Sequence, residues 1–383
     1  MSSTTTTTEA RQAELVLSQN PRDALFASLK GKKARIPNLR PVLAGWRGSD
    51  ECYVSPFIDA LRIKVDKRLQ SLNVSTKKLR GLQATDFGLF AALWWPEASL
   101  DKLEILAYLS IWLFTWDDEI DEAEGLYTDD FVAAQRFRAD TLRFVRQCLG
   151  LVDAQEEGDV RAPRNQNIQS FDVIGYVIRD AYDLTQKTRF YDEIAKFIHS
   201  TEVEQRNRLQ GVVPTLIEYW ACRLGTSAVY ITCAAGEYAS ATSRATCRQL
   251  PPYLMNSAPR RSLWDETNVT ISIVNDLCSL KKEMKAGGID NVVPLAFVCT
   301  GDVQAAIDMS MHSLRTSRER FDGAARQLLA LADNEGDDVR RQVQDHIEVL
   351  RSNCVGNLVW SLQTGRYGLA ESRQADGSQQ FLL

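Results

Sequence analysis

Residues 99–123 read SLDKLEILAYLSIWLFTWDDEIDEA. Pro96 lies just upstream, and Ser99 and Asp101 open the run, which is a helix start signal. The apolar stretch Leu106–Trp116 is too short for the roughly 18 apolar residues that mark a membrane span, and it ends in acidic residues. The segment therefore predicts a core helix over 99–123. Outward from it the same helical pattern recurs near 55–71, 85–94, 128–149, 171–187, 189–210, 214–241, 261–286, 302–332 and 336–365. Pro214 suits a first helical position, and Gly287-Gly288 supplies a stop after 286. Alternating strand-like runs are scarce. The expectation is an all-α bundle of about ten helices, with the polar stretch 152–170 as a long loop.

Composition agrees. The 383 residues include only 21 glycines and 11 prolines, below the usual combined share of about 12%. Few breakers favour helices over the turns of an all-β fold. Hydrophobic residues make up 44% and charged residues 25%, which excludes global disorder. A net charge of −5 and a pI near 5.5 leave no basic footprint for nucleic acid. The N-terminus MSSTTTTTEA has neither the basic start nor the apolar core of a secretory signal. A cytoplasmic protein without stable membrane insertion is expected. The three histidines, His199, His312 and His346, are scattered, so zinc-hydrolase sites lose their support. The eight cysteines include no C-x-x-C pair and read as mostly buried free thiols. No Rossmann fingerprint, nucleophile elbow or P-loop is present. Residues 1–50, with a Thr run at 4–8 and the basic, proline-containing stretch 31–48, read as a partly disordered arm on the surface of a domain spanning 51–370. Residues 371–383 read as a tail.

Four constellations carry chemistry. Asp117 and Asp121 lie four apart on one helix face, with Asp118 flanking it. Clustered carboxylates repel, and hard oxygen donors of this kind suit Mg²⁺ shared with a phosphate. The alternative is a solvated acidic helix end, which the helix dipole disfavours. Asn275, Ser279 and Glu283 stand at i, i+4 and i+8, so an amide, a hydroxyl and a carboxylate line one face, with Lys282 beside them. Taken alone this pattern recurs often. Arg366-Tyr367 ends a helix containing Trp360 and could grip a phosphate, or Arg366 could simply snorkel. Arg223 sits within the apolar run EYWACRLGTSAVY, where an unpaired charge is costly. Its partner is Glu218, Glu237 or an anionic substrate.

Together and in this order, the four features resemble the class I terpene synthases, fungal sesquiterpene cyclases in particular, over roughly residues 54–368. The D-D-x-x-D/E motif of that family matches Asp117, Asp118 and Asp121. Its N-D-x-x-S-x-x-x-E triad matches Asn275, Ser279 and Glu283, with Asp276 in second place and Lys282 before the Glu. The C-terminal Arg-Tyr pair matches Arg366 and Tyr367. Arg223 resembles the diphosphate-sensing arginine, 52 residues before Asn275, and Thr226 and Ser227 resemble the helix-break segment that couples sensing to ionisation. Chain-elongating relatives carry a second aspartate-rich motif, which is absent here. The DxDD of protonation-initiated cyclases is absent too.

The resemblance implies a single helical bundle around an apolar cavity, with three Mg²⁺ ions bridging the two metal motifs and a prenyl diphosphate. Arg223, Lys282, Arg366 and Tyr367 would bind that diphosphate. Phe114, one turn deeper than Asp117, and Trp360 would steer the carbocation by their ring faces, with Phe90 and Trp94 as further candidates. The implied activity is a lyase: Mg²⁺-dependent cyclisation of farnesyl diphosphate by a monomer or homodimer. The rivals are a diterpene cyclase on geranylgeranyl diphosphate and a non-catalytic helical binding scaffold.

Overall fold

The computed structural model describes residues 20–49, 53–151, 163–240, 250–333 and 335–383. The Thr run at 4–8, Cys52, Cys247 and residues 152–162 of the expected loop lie outside them. In chain order the helices are α1 (Pro21–Leu29), α2 (Ile58–Gln70), α3 (Thr76–Thr85), α4 (Phe87–Trp94), α5 (Leu100–Asp121), α6 (Phe131–Cys148), α7 (Gln166–Gln169) and α8 (Asp172–Ala181). They continue with α9 (Leu184–Leu209), α10 (Leu216–Thr226), α11 (Val229–Ser240), α12 (Pro252–Met255), α13 (Ala258–Lys285), α14 (Val292–Thr300), α15 (Val303–Ala332) and α16 (Asp337–Gln363). The all-α class stands. The only sheet among the described residues is a pair of four-residue strands, β1 (Lys33–Ile36) and β2 (Gln379–Leu382), antiparallel with Lys33 opposite Leu382.

Three differences from the expected elements have physical causes. The helices expected at 171–187 and 189–210 part at Tyr182–Asp183 instead. There Asp183 accepts from the Gln186 N–H and the Gln186 side chain accepts from the Asp183 N–H, a complete capping box that starts α9 earlier. The helix expected over 214–241 is broken after Thr226, where Ala228 takes φ 58°, a left-handed conformation uncommon for a residue with a Cβ. Helix α14 was not expected at all. Its residues Val292–Val298 are buried on every side, so they show no helical period, and Pro294 argues against a helix until Asn291 is recognised as its cap.

Residues 20–49 do not lie on the surface as an arm. Leu25, Leu29, Ile36, Leu39, Leu43 and Trp46 are buried in the same core as the bundle, and β1 joins this segment to the C-terminal residues. Cys148, Cys233, Cys278 and Cys354 are buried free thiols, while Cys299 is exposed.

The central helices are α4, α5, α13 and α16. All eight residues of α4 are buried. Asp86 caps α4, accepting from the Leu89 N–H at 3.0 Å. Helix α16 crosses α4 with near backbone contact at Gly356, where a Cβ would meet Leu93 C and O at 2.7 Å. That close approach is what brings Trp360 onto Phe90. Among the described residues no single helix is long and apolar enough to cross a membrane.

Candidate active site

The C-terminal ends of α5, α9 and α13 and the residues after α16 surround the mouth of a cavity of about 610 Å³, within the usual range of ligand sites. Every candidate named from the sequence lines it: Asp117, Asp118, Asp121, Asn275, Ser279, Glu283, Arg223, Lys282, Arg366, Tyr367, Phe90, Trp94, Phe114 and Trp360, and also Thr226 and Ser227.

The floor is aromatic. The Phe90 ring stacks on Trp94 at 4.3 Å and meets Trp360 edge-on at 5.1 Å and Phe114 at 6.0 Å. Phe114 and Trp360 close the group at 5.9 Å. Trp360 Nε1 donates to the Thr85 carbonyl at 2.8 Å, which fixes the ring. Leu113, Val229 and Ile271 complete the apolar wall.

The mouth is charged, and the aspartate-rich end of α5 and the Asn/Ser/Glu face of α13 are tied across it. Lys282 on α13 pairs with Glu122 just past α5 at 2.7 Å. Arg366 pairs with Asp118 at 3.1 Å and lies over the Phe114 ring at 5.0 Å. Asn275 donates to the Tyr367 hydroxyl at 2.6 Å. Arg223 Nη2 donates to Asn275 Oδ1 at 2.7 Å and to Asp276 Oδ1 at 2.8 Å. Neither carboxylate considered from the sequence serves Arg223. Glu218 is spent on capping α10 through Thr215, and Glu237 pairs with Arg189. Asp276, almost fully buried, also accepts from Tyr219 and from the Val292 N–H at 3.0 Å.

The break between α10 and α11 is clamped. Ser227 donates to Asn268 Oδ1 at 2.8 Å, and Asn268 Nδ2 donates to the Leu224 carbonyl at 2.8 Å. The Thr226 hydroxyl is buried without a hydrogen-bond partner among the described residues.

Charge at the mouth is unbalanced. Removal from bulk water, then repulsion from Asp121 and Asp118, pushes the Asp117 carboxyl up to about 8 against the opposing pull of Arg366 and Arg223. Asp121 is raised by the same desolvation and then by Asp290. Glu283 is pushed up to about 7 by burial and by Asp276, with the nearby Ser279 hydroxyl and Asn291 amide offsetting part of the rise. Burial is the strongest single influence on Glu122 and would raise it, but the Lys282 hydrogen bond together with the charges of Lys282, Arg366 and Lys78 outweighs it and holds that carboxyl below its ordinary value.

Three residues at the mouth, Glu204, Arg208 and Asp290, and Asn291 buried behind it carry no motif. Glu204, on α9, is raised well above the carboxylate range by burial and by Asp121, Asp290 and Asp117. Arg208 donates to the carbonyls of Ile120 and Thr128 at 3.0 and 2.7 Å and so holds the chain that leaves α5. Asn291 caps α14 and also donates to the Asp276 carbonyl at 2.7 Å and to Glu283 at 2.8 Å. Asp290 lies beside it on the cavity rim.

These side chains fit a divalent cation bound with an anionic ligand. Among the described residues no three His, Cys, Asp or Glu side chains gather to hold an ion alone. Mg²⁺ seldom uses such a cage: it takes one or two carboxylates and completes its shell with water and phosphate oxygens. The donors for that arrangement are present. Asp117, Asp121 and Glu283 are hard oxygen donors whose raised affinity for protons marks a place where positive charge is wanting. The Ser279 hydroxyl, between Asn275 and Glu283 on the same face, is buried with no hydrogen-bond partner among the described residues.

An all-helical bundle that closes around an aromatic cavity with a charged mouth has the fold of the class I terpenoid synthases. Solved structures share the fold: α-eudesmol synthase superposes with a TM-score of 0.69 at 20% identity, covering 82% of this chain and 96% of that one. The linalool/nerolidol synthase from Streptomyces clavuligerus in complex with 2-fluorogeranyl diphosphate gives 0.67 at 17% identity, covering 82% and 97%. Residues 108–320 match the family described as terpene synthase family 2, C-terminal metal binding. The sesquiterpene cyclase hepA of Aspergillus oryzae is 34% identical over 94% of this chain and 95% of its own length. The (+)-eremophilene synthase of Sorangium cellulosum is 27% identical over 77% of this chain and 83% of its own. The chain belongs to the terpene synthase family and is a terpene cyclase, a lyase with a metal-binding domain.

Proposed function

We propose that this enzyme is a Mg²⁺-dependent sesquiterpene cyclase that ionises farnesyl diphosphate, cyclises the allylic cation and releases diphosphate. The observation that carries the reading is a cavity of about 610 Å³ whose mouth is lined by both the aspartate cluster and the Asn/Ser/Glu triad and whose floor is an aromatic cluster. The sesquiterpene cyclases and synthases among its relatives support a C15 substrate.

Asp117, Asp118 and Asp121 on one side, and Asn275, Ser279 and Glu283 on the other, would hold the Mg²⁺ ions. When bound, these supply Lewis-acid stabilisation of the departing diphosphate. Arg223, Lys282, Arg366 and Tyr367 place donors around the same oxygens. Each cation now rests on a carboxylate, Asp276, Glu122 or Asp118. A diphosphate entering the mouth offers each cation one anionic partner in exchange for another, so no buried cation is stranded. The C–O bond breaks heterolytically, its electron pair leaving with the diphosphate oxygen. The prenyl cation then lies over Phe114, Trp360 and Phe90, whose ring faces attract positive charge without adding to it. The apolar, aromatic floor offers the cation no nucleophile of its own and so disfavours its capture.

The test is incubation of purified protein with geranyl, farnesyl and geranylgeranyl diphosphates, with Mg²⁺ or EDTA, and volatile products read by gas chromatography–mass spectrometry. A C15 product that vanishes with EDTA is expected. A C20 product alone would move the substrate to geranylgeranyl diphosphate. No product from folded protein on any of the three would overturn the reading.

A further inference from the structure

Helix α1 precedes the residues matched to the family, yet Arg22 and Asp23 line the cavity mouth. Arg22 reaches two separate loops of the rim. Its guanidinium forms a two-pronged ion pair with Asp290, one prong at 3.1 Å, and Nη1 donates to the Val212 carbonyl at 3.1 Å. The pair is largely shielded, with 11% and 19% of the two side chains exposed. Asp290 belongs to the 286–291 turn that follows the metal-triad helix α13. The next residue, Asn291, holds the Glu283 carboxylate at 2.8 Å and the Asp276 carbonyl at 2.7 Å with one amide nitrogen. Asp276 in turn holds Arg223. A path thus runs from Arg22 by an ion pair to Asp290, along the chain to Asn291, and by hydrogen bonds to Glu283 and to Asp276, which holds the arginine at the mouth.

We propose that Arg22 is a positioning residue for the reaction: by clamping Asp290 it sets the 286–291 turn, and through Asn291 it aims Glu283 at the cation site, while its bond to Val212 keeps α1 drawn over the rim. The inference rests on the reading of this cavity as a Mg²⁺–diphosphate site. Shielded bidentate Arg–carboxylate pairs specify geometry as well as charge. Lysine cannot replace the two-pronged contact. Groups that orient a metal ligand from behind matter almost as much as the ligand itself.

The experiment uses the full chain and the variants Arg22→Ala, Arg22→Lys and the charge exchange Arg22→Asp with Asp290→Arg, each checked by circular dichroism. Two readouts need no turnover. One is amide hydrogen exchange of residues 286–291 without metal. The other is calorimetric titration with Mg²⁺ and inorganic pyrophosphate. Arg22→Ala is expected to speed exchange in the turn and weaken Mg²⁺–pyrophosphate binding by about 10- to 100-fold, with a larger rise in KM than fall in kcat and a greater share of water-captured alcohol products. Arg22→Lys should fall between, and the charge exchange should recover part of the loss. If the wild type binds Mg²⁺–pyrophosphate and folded Arg22→Ala matches it in both readouts, this inference falls alone. If the wild type binds none, the functional reading falls and takes the inference with it.

Discussion

The floor and the mouth of the cavity share helices α5 and α13, yet they are finished to different degrees. In the floor, Phe90, Phe114 and Trp360 meet in edge-to-face pairs, each worth about 0.5–1.5 kcal/mol beyond the area buried. Trp360 has its hydrogen bond, and only the buried Trp94 Nε1 lacks one among the described floor residues. In the mouth, Asp117, Asp121, Glu204 and Glu283 all hold protons more tightly than free carboxylates do. Folding alone completes the floor. The mouth is left short of positive charge, and a ligand must supply it. Mutations at the two ends should therefore fail in different ways.

The largest effect should come from the mouth. Asn275→Ala removes a donor to Tyr367, an acceptor of Arg223 and a proposed metal ligand in one step. Turnover is expected to drop at least about 100-fold, with helical circular dichroism and melting temperature nearly unchanged. A variant with full turnover would break the contrast, because the mouth would then be ordinary polar surface.

A medium effect follows from pH. Asp117, pushed to about 8, and Glu283, pushed to about 7, bind protons more tightly folded than unfolded. For such acids the metal-free fold keeps its full stability below the unfolded values near 4. It loses that stability as pH rises through about 7 and 8. Added Mg²⁺ and pyrophosphate compensate the charge that appears. The melting-temperature gain they produce should thus be at least about 3 °C greater near pH 8.5 than near pH 6. A gain that is flat across this range, or that shrinks with rising pH, would show that the mouth carboxyls are not where the cation binds.

What was legible in the sequence divides along the same line. The spacing of Asp117 with Asp121, and of Asn275 with Ser279 and Glu283, is local, so helix geometry alone predicts their shared faces. Aromatics one turn below a motif follow by the same rule. What stayed hidden depends on chain folding over long separations. Arg223 meets Asp276, 53 residues on, and Arg22 meets Asp290, 268 residues on. Glu204 lies in TEVEQRNRL, whose mixed charges read as a solvated helix face. The pairing of β1 with β2 joins opposite ends of the chain, each too short and too polar to announce a strand. The break at Ala228 follows from the resemblance of Thr226 and Ser227 to a helix-break segment, not from helix periodicity, which runs through it. Nothing local requires it, and Asn268 on α13 clamps it from outside.

The smallest effect on turnover, and the most specific for the product formed, should come from the floor at Phe114. Unlike Trp360, which is fully buried, Phe114 is only partly buried, with its ring facing the cavity. It touches Phe87, Phe90 and Trp360 at the edge and carries Arg366 above it. Phe114→Leu keeps most of the volume and removes the ring's negative face. The loss of stability should be about 1 kcal/mol, as for a conservative swap in a core. Turnover should fall much less than in Asn275→Ala, because ionisation is complete before the ring is needed. The product profile should change, since a cation no longer held at that point partitions among other closures, and small energy differences between those paths are multiplied about tenfold per 1.4 kcal/mol. The same substrate incubations read this directly as a ratio of C15 products. An unchanged ratio would make Phe114 part of the scaffold and shift cation steering to Phe90 and Trp360 alone. A collapse in turnover with the ratio intact would mean that Phe114 acts through Arg366, as part of the mouth.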